Sequence, residues 1–432
     1  MRRLLVVLIA LALAPTGAQA KPHNGVAPDP SFGDGQGYAT LQISGQDTIA
    51  YAVTAVSGGT VVAGQATPSS GSGAGQVLVA KYDHSGKLDP AFGTHGVYRS
   101  SFPDADGPFI ANGIAEDSHG RLVVAGGYGG GSVLVLRLTA TGQVDSSFGT
   151  GGRTVVDTGG VAQSVAIEKD GGILVGSSNA NENGRPMVVV RLTPNGAVDP
   201  SFGTNGKTEI LFWDPNRAAS AGVAALATRP NGAIVGAGHL DYIGGDGHGS
   251  AGVFSLTTAG QLDPGYGTGG SVEVAFTNPD GTFAQWFPCG MALYPNGRAT
   301  VTGDGSTAAG NAILAARLTA AGALDPTFGT DGRVVISGAS GGEDTTCGAA
   351  GAAGVFTVGA GSSFAQLLQD GAPNGNFAHG GITTITTPDQ VAVNALVLPR
   401  PHTAVLAGSA GNDLYVSRWL LPPGRGNGHA GD

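Results

Sequence analysis

The chain has 432 residues, of which 77 are glycine and only 12% are charged, with a formal net charge of −10. Low charge with so much glycine fits short buried strands joined by tight turns, and argues against a helical or a disordered protein. The acidic balance argues against nucleic acid and anionic membrane surfaces as partners, since phosphate binding needs a basic footprint.

Taken in chain order, Arg2 and Arg3 precede an apolar run from Leu4 to Ala14, and Ala18-Gln19-Ala20 offers small residues for cleavage. Residues 1–20 therefore read as a secretory signal peptide, because a membrane span needs about 20 apolar residues. The expectation is a secreted, extracellular chain that starts near Lys21, with no membrane insertion after cleavage. Residues 21–421 form the folded unit, and 422–432 form a flexible tail.

A repeat then dominates. Asp29-Pro30-Ser31-Phe32-Gly33 recurs as Asp89-Pro90-Ala91-Phe92-Gly93, Asp145-Ser146-Ser147-Phe148-Gly149 and Asp199-Pro200-Ser201-Phe202-Gly203. Asp263-Pro264-Gly265-Tyr266-Gly267, Asp325-Pro326-Thr327-Phe328-Gly329 and a worn Asn374-Gly375-Asn376-Phe377 follow. The aromatic steps along the chain by 60, 56, 54, 64, 62 and 49 residues, room for four short strands and their turns.

Between motifs the pattern is constant. In the second unit, Gly96–Phe102, Ile110–Ala115, Leu122–Gly126 and Val133–Leu138 are β-prone runs bounded by Gly, Asn, Asp or Pro. Pro230-Asn231-Gly232 and Pro295-Asn296-Gly297 are hairpin turns, because both residues of Asn-Gly tolerate positive φ. The chain opens with a motif and one strand, 38–44, and ends on a third strand, Leu414–Trp419, with no fourth. The fold expected is all-β: a seven-bladed β-propeller closed by the N-terminal strand pairing into the C-terminal blade, which removes exposed sheet edges.

These motifs, with Val61-Val62-Ala63-Gly64 and Val123-Val124-Ala125-Gly126 and their following strands, resemble the delta-60 repeat proteins of bacteria over essentially the whole mature chain. The resemblance implies a propeller-like fold and an extracytoplasmic place, and no defined activity. Tyr266, the copy at 374–377 and the Gly/Ala-rich 348–354 depart from the pattern.

The motif residues read as structural. Asp or Asn at a turn start bonds its own backbone two residues on, whereas calcium needs about six to eight oxygens. The aromatics Phe32, Phe92, Phe148, Phe202, Tyr266, Phe328 and Phe377 read as core plugs. Lys81, Arg137, Arg191, Arg317 and Arg418 share one position of the third strand, and read as solvent-facing or paired weakly with a motif Asp.

Binding residues are expected on the face opposite the motif, where irregular loops sit on the scaffold. The candidates are Trp213, Asp214 and Arg217, then His239, Asp241, Tyr242, Asp246 and His248, and Trp286. Two His and two Asp within ten residues could suit zinc, but the spacing matches no metal motif, so no metal and no cofactor are expected. For Trp213 and Trp286, packing between blades stands beside binding. Cys289 and Cys347 open first strands of neighbouring units and are candidates for an inter-blade disulfide.

No nucleophile elbow, His-Glu-x-x-His or phosphate loop occurs, and no catalytic residue is assigned. The function expected is a secreted, non-catalytic binding or scaffold protein, a monomer, whose extracellular ligand is a carbohydrate or a peptide. The alternative is a secreted lyase or hydrolase using His239, Asp241, Asp246 and His248.

Overall fold

A computed structural model describes residues 25–422 except 72–74, 103–108, 129–130, 179–185, 213–217, 244–248, 339–346, 353–354, 361, 388 and 401. The region expected as a signal peptide, the tail beyond residue 422, and Trp213, Asp214, Arg217, Asp246 and His248 lie outside the described residues.

The fold is a β-propeller. Six blades are four-stranded antiparallel sheets in sequence order. Blade one is Gln46–Val56, Gly59–Pro68, Gln76–Asp83 and Val97–Ser100; blade two is Ile110–Glu116, Leu122–Tyr128, Ser132–Leu138 and Arg153–Asp157. Blade three is Ala162–Ile167, Ile173–Ser178, Met187–Leu192 and Lys207–Ile210; blade four is Ala218–Thr228, Ile234–Ile243, Gly249–Leu256 and Ser271–Val274. Blade five is Gln285–Leu293, Ala299–Thr307, Gly310–Leu318 and Arg333–Ser337; blade six is Cys347–Ala352, Val355–Ala360, Ser363–Leu368 and Ile382–Thr384.

The remaining sheet corrects the sequence expectation of seven like blades. It is five-stranded and composite, built from both ends of the chain. Val391–Arg400, Thr403–Ala410 and Asp413–Leu420 come from the C-terminal side, and Tyr38–Leu41 and Ala27–Pro28 both pair with Asp413–Leu420. A repeat count cannot show the fifth strand, because Ala27–Pro28 precedes the first motif and has only two residues. The strand expected at 38–44 is also shorter, since Gly45 turns the chain (φ 73°) and Ile43 bridges to Gln46. The first strands of successive blades touch in order, and Val391–Arg400 touches the first strands of blades six and one.

Each motif is a staple between neighbours. Its aspartate or asparagine caps its own turn, as in Ser201 N–H to Asp199 Oδ1 at 3.0 Å and Asn376 N–H to Asn374 Oδ1 at 3.0 Å. Its aromatic is at most 1% exposed in all seven copies. In six of them the glycine after the aromatic donates its N–H to a turn of the next unit, as in Gly149 to Asn195 O at 2.8 Å and Gly267 to Ala321 O at 2.8 Å.

The third-strand cations complete the staple, and they are not weak surface groups. Arg137 Nε lies 2.8 Å from Asp145 Oδ2, its guanidinium stacks 4.5 Å from the Phe148 centroid, and Nη1 reaches Pro194 O at 2.5 Å in the next unit. Arg191, Arg317 and Arg418 repeat the set on Phe202, Phe328 and Phe32, and Lys81 pairs with Asp89 at 3.0 Å. With Arg137 only 1% exposed, removing one partner would strand a buried charge.

Candidate functional site

The inner strands hold the site because each of six carries a register shift at the same height. Pairing skips Tyr51 in blade one, Asn112 in two, Gln163 in three, Val223 and Ala224 in four, Cys289 in five and Asn394 in the composite sheet. A bulge bends its strand and re-aims a side chain. Tyr51, Asn112, Gln163, Ala224, Cys289 and Asn394 accordingly line one central cavity of about 560 Å³.

A glycine of the second strand makes room for the bulge. A Cβ on Gly64 would lie 1.9 Å from Ile49 O, on Gly126 1.9 Å from Ile110 O, and on Gly408 1.8 Å from Ala392 O. The glycine of the Val-Val-Ala-Gly runs is thus a close-approach position and not a turn residue. It was the sequence signal for the bulge ring, together with a polar residue set between small ones, as in Ala111-Asn112-Gly113.

The carboxamides are oriented by neighbouring blades. Asn112 Nδ2 donates to Ala162 O at 2.9 Å, and Asn394 Nδ2 donates to Ala50 O at 2.9 Å. A carbonyl can only accept, so these bonds fix which end of each amide is the oxygen. Gln163 lines the same cavity, and its Oε1 has no partner.

His239 and Asp241 enter from the second strand of blade four, two residues apart and so on one face. Nε2 of His239 is 3.8 Å from Oδ2 of Asp241, and the side chains are 24% and 39% exposed. The separation is too long for a hydrogen bond. Burial holds the imidazole below the usual histidine range against the pull of Asp241, and burial raises the Asp241 carboxyl. Oδ1 of Asp241 is buried without a partner.

The other sequence candidates part company with this pair. Tyr242 continues the strand, paired with Ala219. Trp286 is fully buried and meets Phe276 edge-on at 4.8 Å, so it is core and not a rim residue. The Asn278–Thr282 turn is held by its own bonds and by Ala308 N–H to Asn278 Oδ1 at 3.0 Å. Cys289 is disulfide-bonded, and the chain has one other cysteine, Cys347, whose side chain lies outside the described residues. Among the described residues, no three His, Cys, Asp or Glu side chains gather as a metal site.

One family match agrees with the architecture. Residues 119–148, 168–202 and 295–328 match the family described as a domain of unknown function (DUF5122) β-propeller. No curated protein matches the sequence. Among solved structures, the chain is similar to the WD40 domain of Toxoplasma gondii coronin at 11% identity and TM-score 0.47, covering 94% of this chain and 89% of that one. It is similar to polysaccharide lyase Uly1 at 9% identity and TM-score 0.44, covering 86% and 90%. It is also similar to the PQQ-bound aldose sugar dehydrogenase of Streptomyces coelicolor at 13% identity and TM-score 0.42, covering 72% and 94%. No substrate, cofactor or partner carries over from these likenesses.

Proposed function

We propose that this is a secreted binding protein of the delta-60 repeat type, which holds a small hydroxylated ligand of the carbohydrate class in the central cavity. The observation that carries the reading is the bulge ring, which turns polar side chains from different blades into one concavity. Its volume of about 560 Å³ falls in the range of small-molecule sites. Asn112, Gln163 and Asn394 suit hydroxyl groups, while the half-buried rings of Tyr51 and Phe287 offer apolar faces. Export rests on the basic and apolar N-terminal segment of residues 1–20. On this reading the binding residues lie in the channel, and the rim turn Asn278–Thr282 is held by its own bonds.

Binding is favoured over catalysis because His239 and Asp241 do not make the hydrogen bond that would orient a catalytic base. The test is a calorimetric screen of the purified mature chain against mono- and disaccharides. A hit should weaken at least tenfold in both Gln163→Ala and Phe287→Ala, with melting temperatures changed by no more than a few degrees. Unchanged affinity in both variants would place the site elsewhere. Turnover of the bound sugar, lost in His239→Ala, would establish the enzyme reading instead.

A further inference from the structure

We infer that the ligand of this cavity carries a protonated amine, seated on Oδ2 of Asp241, so that the class is an amino sugar and not a neutral or acidic one. The inference rests on the reading of the cavity as a ligand site and narrows it.

One amide N–H of Asn112 and one of Asn394 are spent on Ala162 O and Ala50 O of neighbouring strands, so each carboxamide keeps an N–H and its oxygen for a ligand. Oδ1 of Asp241 is buried without a partner, which leaves Oδ2 as the carboxylate oxygen open to the cavity. A ligand group that reaches Oδ2 must bring a donor.

The charge of the lining is one-sided. No lysine or arginine is among the described residues of the lining. The nearest cationic candidate to Asp241 is His239, whose Nε2 stands 3.8 Å away. A carboxylate in partial burial without a donor is costly. An ammonium at Oδ2 supplies the missing charge and up to three donors, and charge-assisted bonds of this kind are the strong ones. Phosphate and carboxylate groups would meet a negative side chain and no lysine or arginine among the described lining. The ring of Phe287 lines the same cavity from blade five and suits a cation or the apolar face of a sugar.

Asp241 sits where blade four meets blade five. It pairs with Gly249, and a Cβ there would lie 2.5 Å from Trp286 O. The carboxyl therefore projects beside the first strand of blade five, with the cavity on its open side.

The experiment is calorimetric titration of the full mature chain at neutral pH with three probes: D-glucosamine, D-glucose and N-acetyl-D-glucosamine. Glucosamine is expected to bind at least tenfold more tightly than the other two. Asp241→Asn, which keeps shape and removes charge, should abolish that preference, and its unfolding midpoint should be unchanged or higher. Equal affinity for glucose and glucosamine overturns the amine inference and leaves the cavity reading standing. An amine preference that persists in Asp241→Asn overturns the role of that carboxylate. Failure of all three probes to bind overturns both.

Discussion

Arg418 and Asp29, 389 residues apart in sequence, meet at 2.7 Å and join the two ends of the chain. Arg418 also donates from Nη2 to Ser31 Oγ at 2.7 Å and from Nη1 to His84 O at 2.6 Å, and its guanidinium stacks 4.9 Å from the Phe32 centroid. One side chain thereby holds the last long strand, the first motif and the turn after the third strand of blade one. This is the same staple that Arg137, Arg191 and Arg317 make within the chain, used here to close it.

Arg418→Ala should therefore lower stability by about 2–4 kcal/mol, more than a surface pair is worth, because Asp29 would be left buried without its cation. Arg418→Lys should recover only part of the loss, since an ammonium cannot form the same fork and stack. A double-mutant cycle with Asp29→Ala in urea, read by circular dichroism, should give a coupling of about 1–3 kcal/mol. Additive effects would mean that the two residues do not act together.

Blade four offers an internal control. Its third strand has Ser255 where five of the other sheets have Arg or Lys, and no cation on that strand faces Asp263. Arg229, from the turn between the first and second strands, takes over part of the work. Its guanidinium lies 5.5 Å from the Tyr266 centroid, and Nη2 donates to Ala320 O at 2.8 Å. Arg229→Ala should cost about 1–2 kcal/mol, and Ser255→Arg in that background should restore most of it. Thermal melts of the three variants decide this; a Ser255→Arg that fails to rescue would show that the third-strand position is not interchangeable. Blade six solves the same problem without charge, through Asn374 Nδ2 to Gln366 Oε1 at 2.6 Å.

The motif carboxylates set the acid limit of the fold. Asp145 and Asp199 are held below the usual range chiefly by the hydroxyls of Ser147 and Ser201, and Asp89 by Lys81. At Asp29 and Asp325 burial pushes upward, but the bonds from Ser31 and Thr327 and the facing arginines outweigh it. A carboxyl held low in the folded chain contributes in full above its unfolded value of about 3.9, and the contribution is lost as pH falls below that. Urea midpoints should be flat from pH 7 to 5 and drop steeply from pH 4 downward. A drop centred near pH 6 would point to histidines instead.

Cys289 leaves Cys347 as its only possible intrachain partner. Denaturing alkylation without reductant should add no label, and prior reduction should add two. Loss of the bond should cost roughly 2–4 kcal/mol, as for a long closed loop. Two labels without reductant would remove the bridge between blades five and six.

The repeat, the strand order and the self-capping motif turn were legible because they depend on local spacing: Asp at one end, an aromatic three residues on, glycine after it. The partners of Arg137 and Arg418 were half-legible, since the recurring cation pointed to a motif Asp, but its burial depends on the turn of the next blade. The cavity was not legible. Asn112, Gln163 and Asn394 lie about 50 residues or more apart, and only a one-residue slip in cross-strand register turns each of them inward. Trp286 stayed open between packing and binding because an aromatic near an irregular loop looks the same in sequence in either role.

The account turns on where a ligand lands, and hydrogen–deuterium exchange with and without the tightest sugar of the screen reports that directly. Slower exchange is expected in the inner strands Ile110–Glu116, Ala162–Ile167, Gln285–Leu293 and Val391–Arg400, with the motif turns unaffected. Protection confined to the segment 275–284, with those inner strands unchanged, would contradict it.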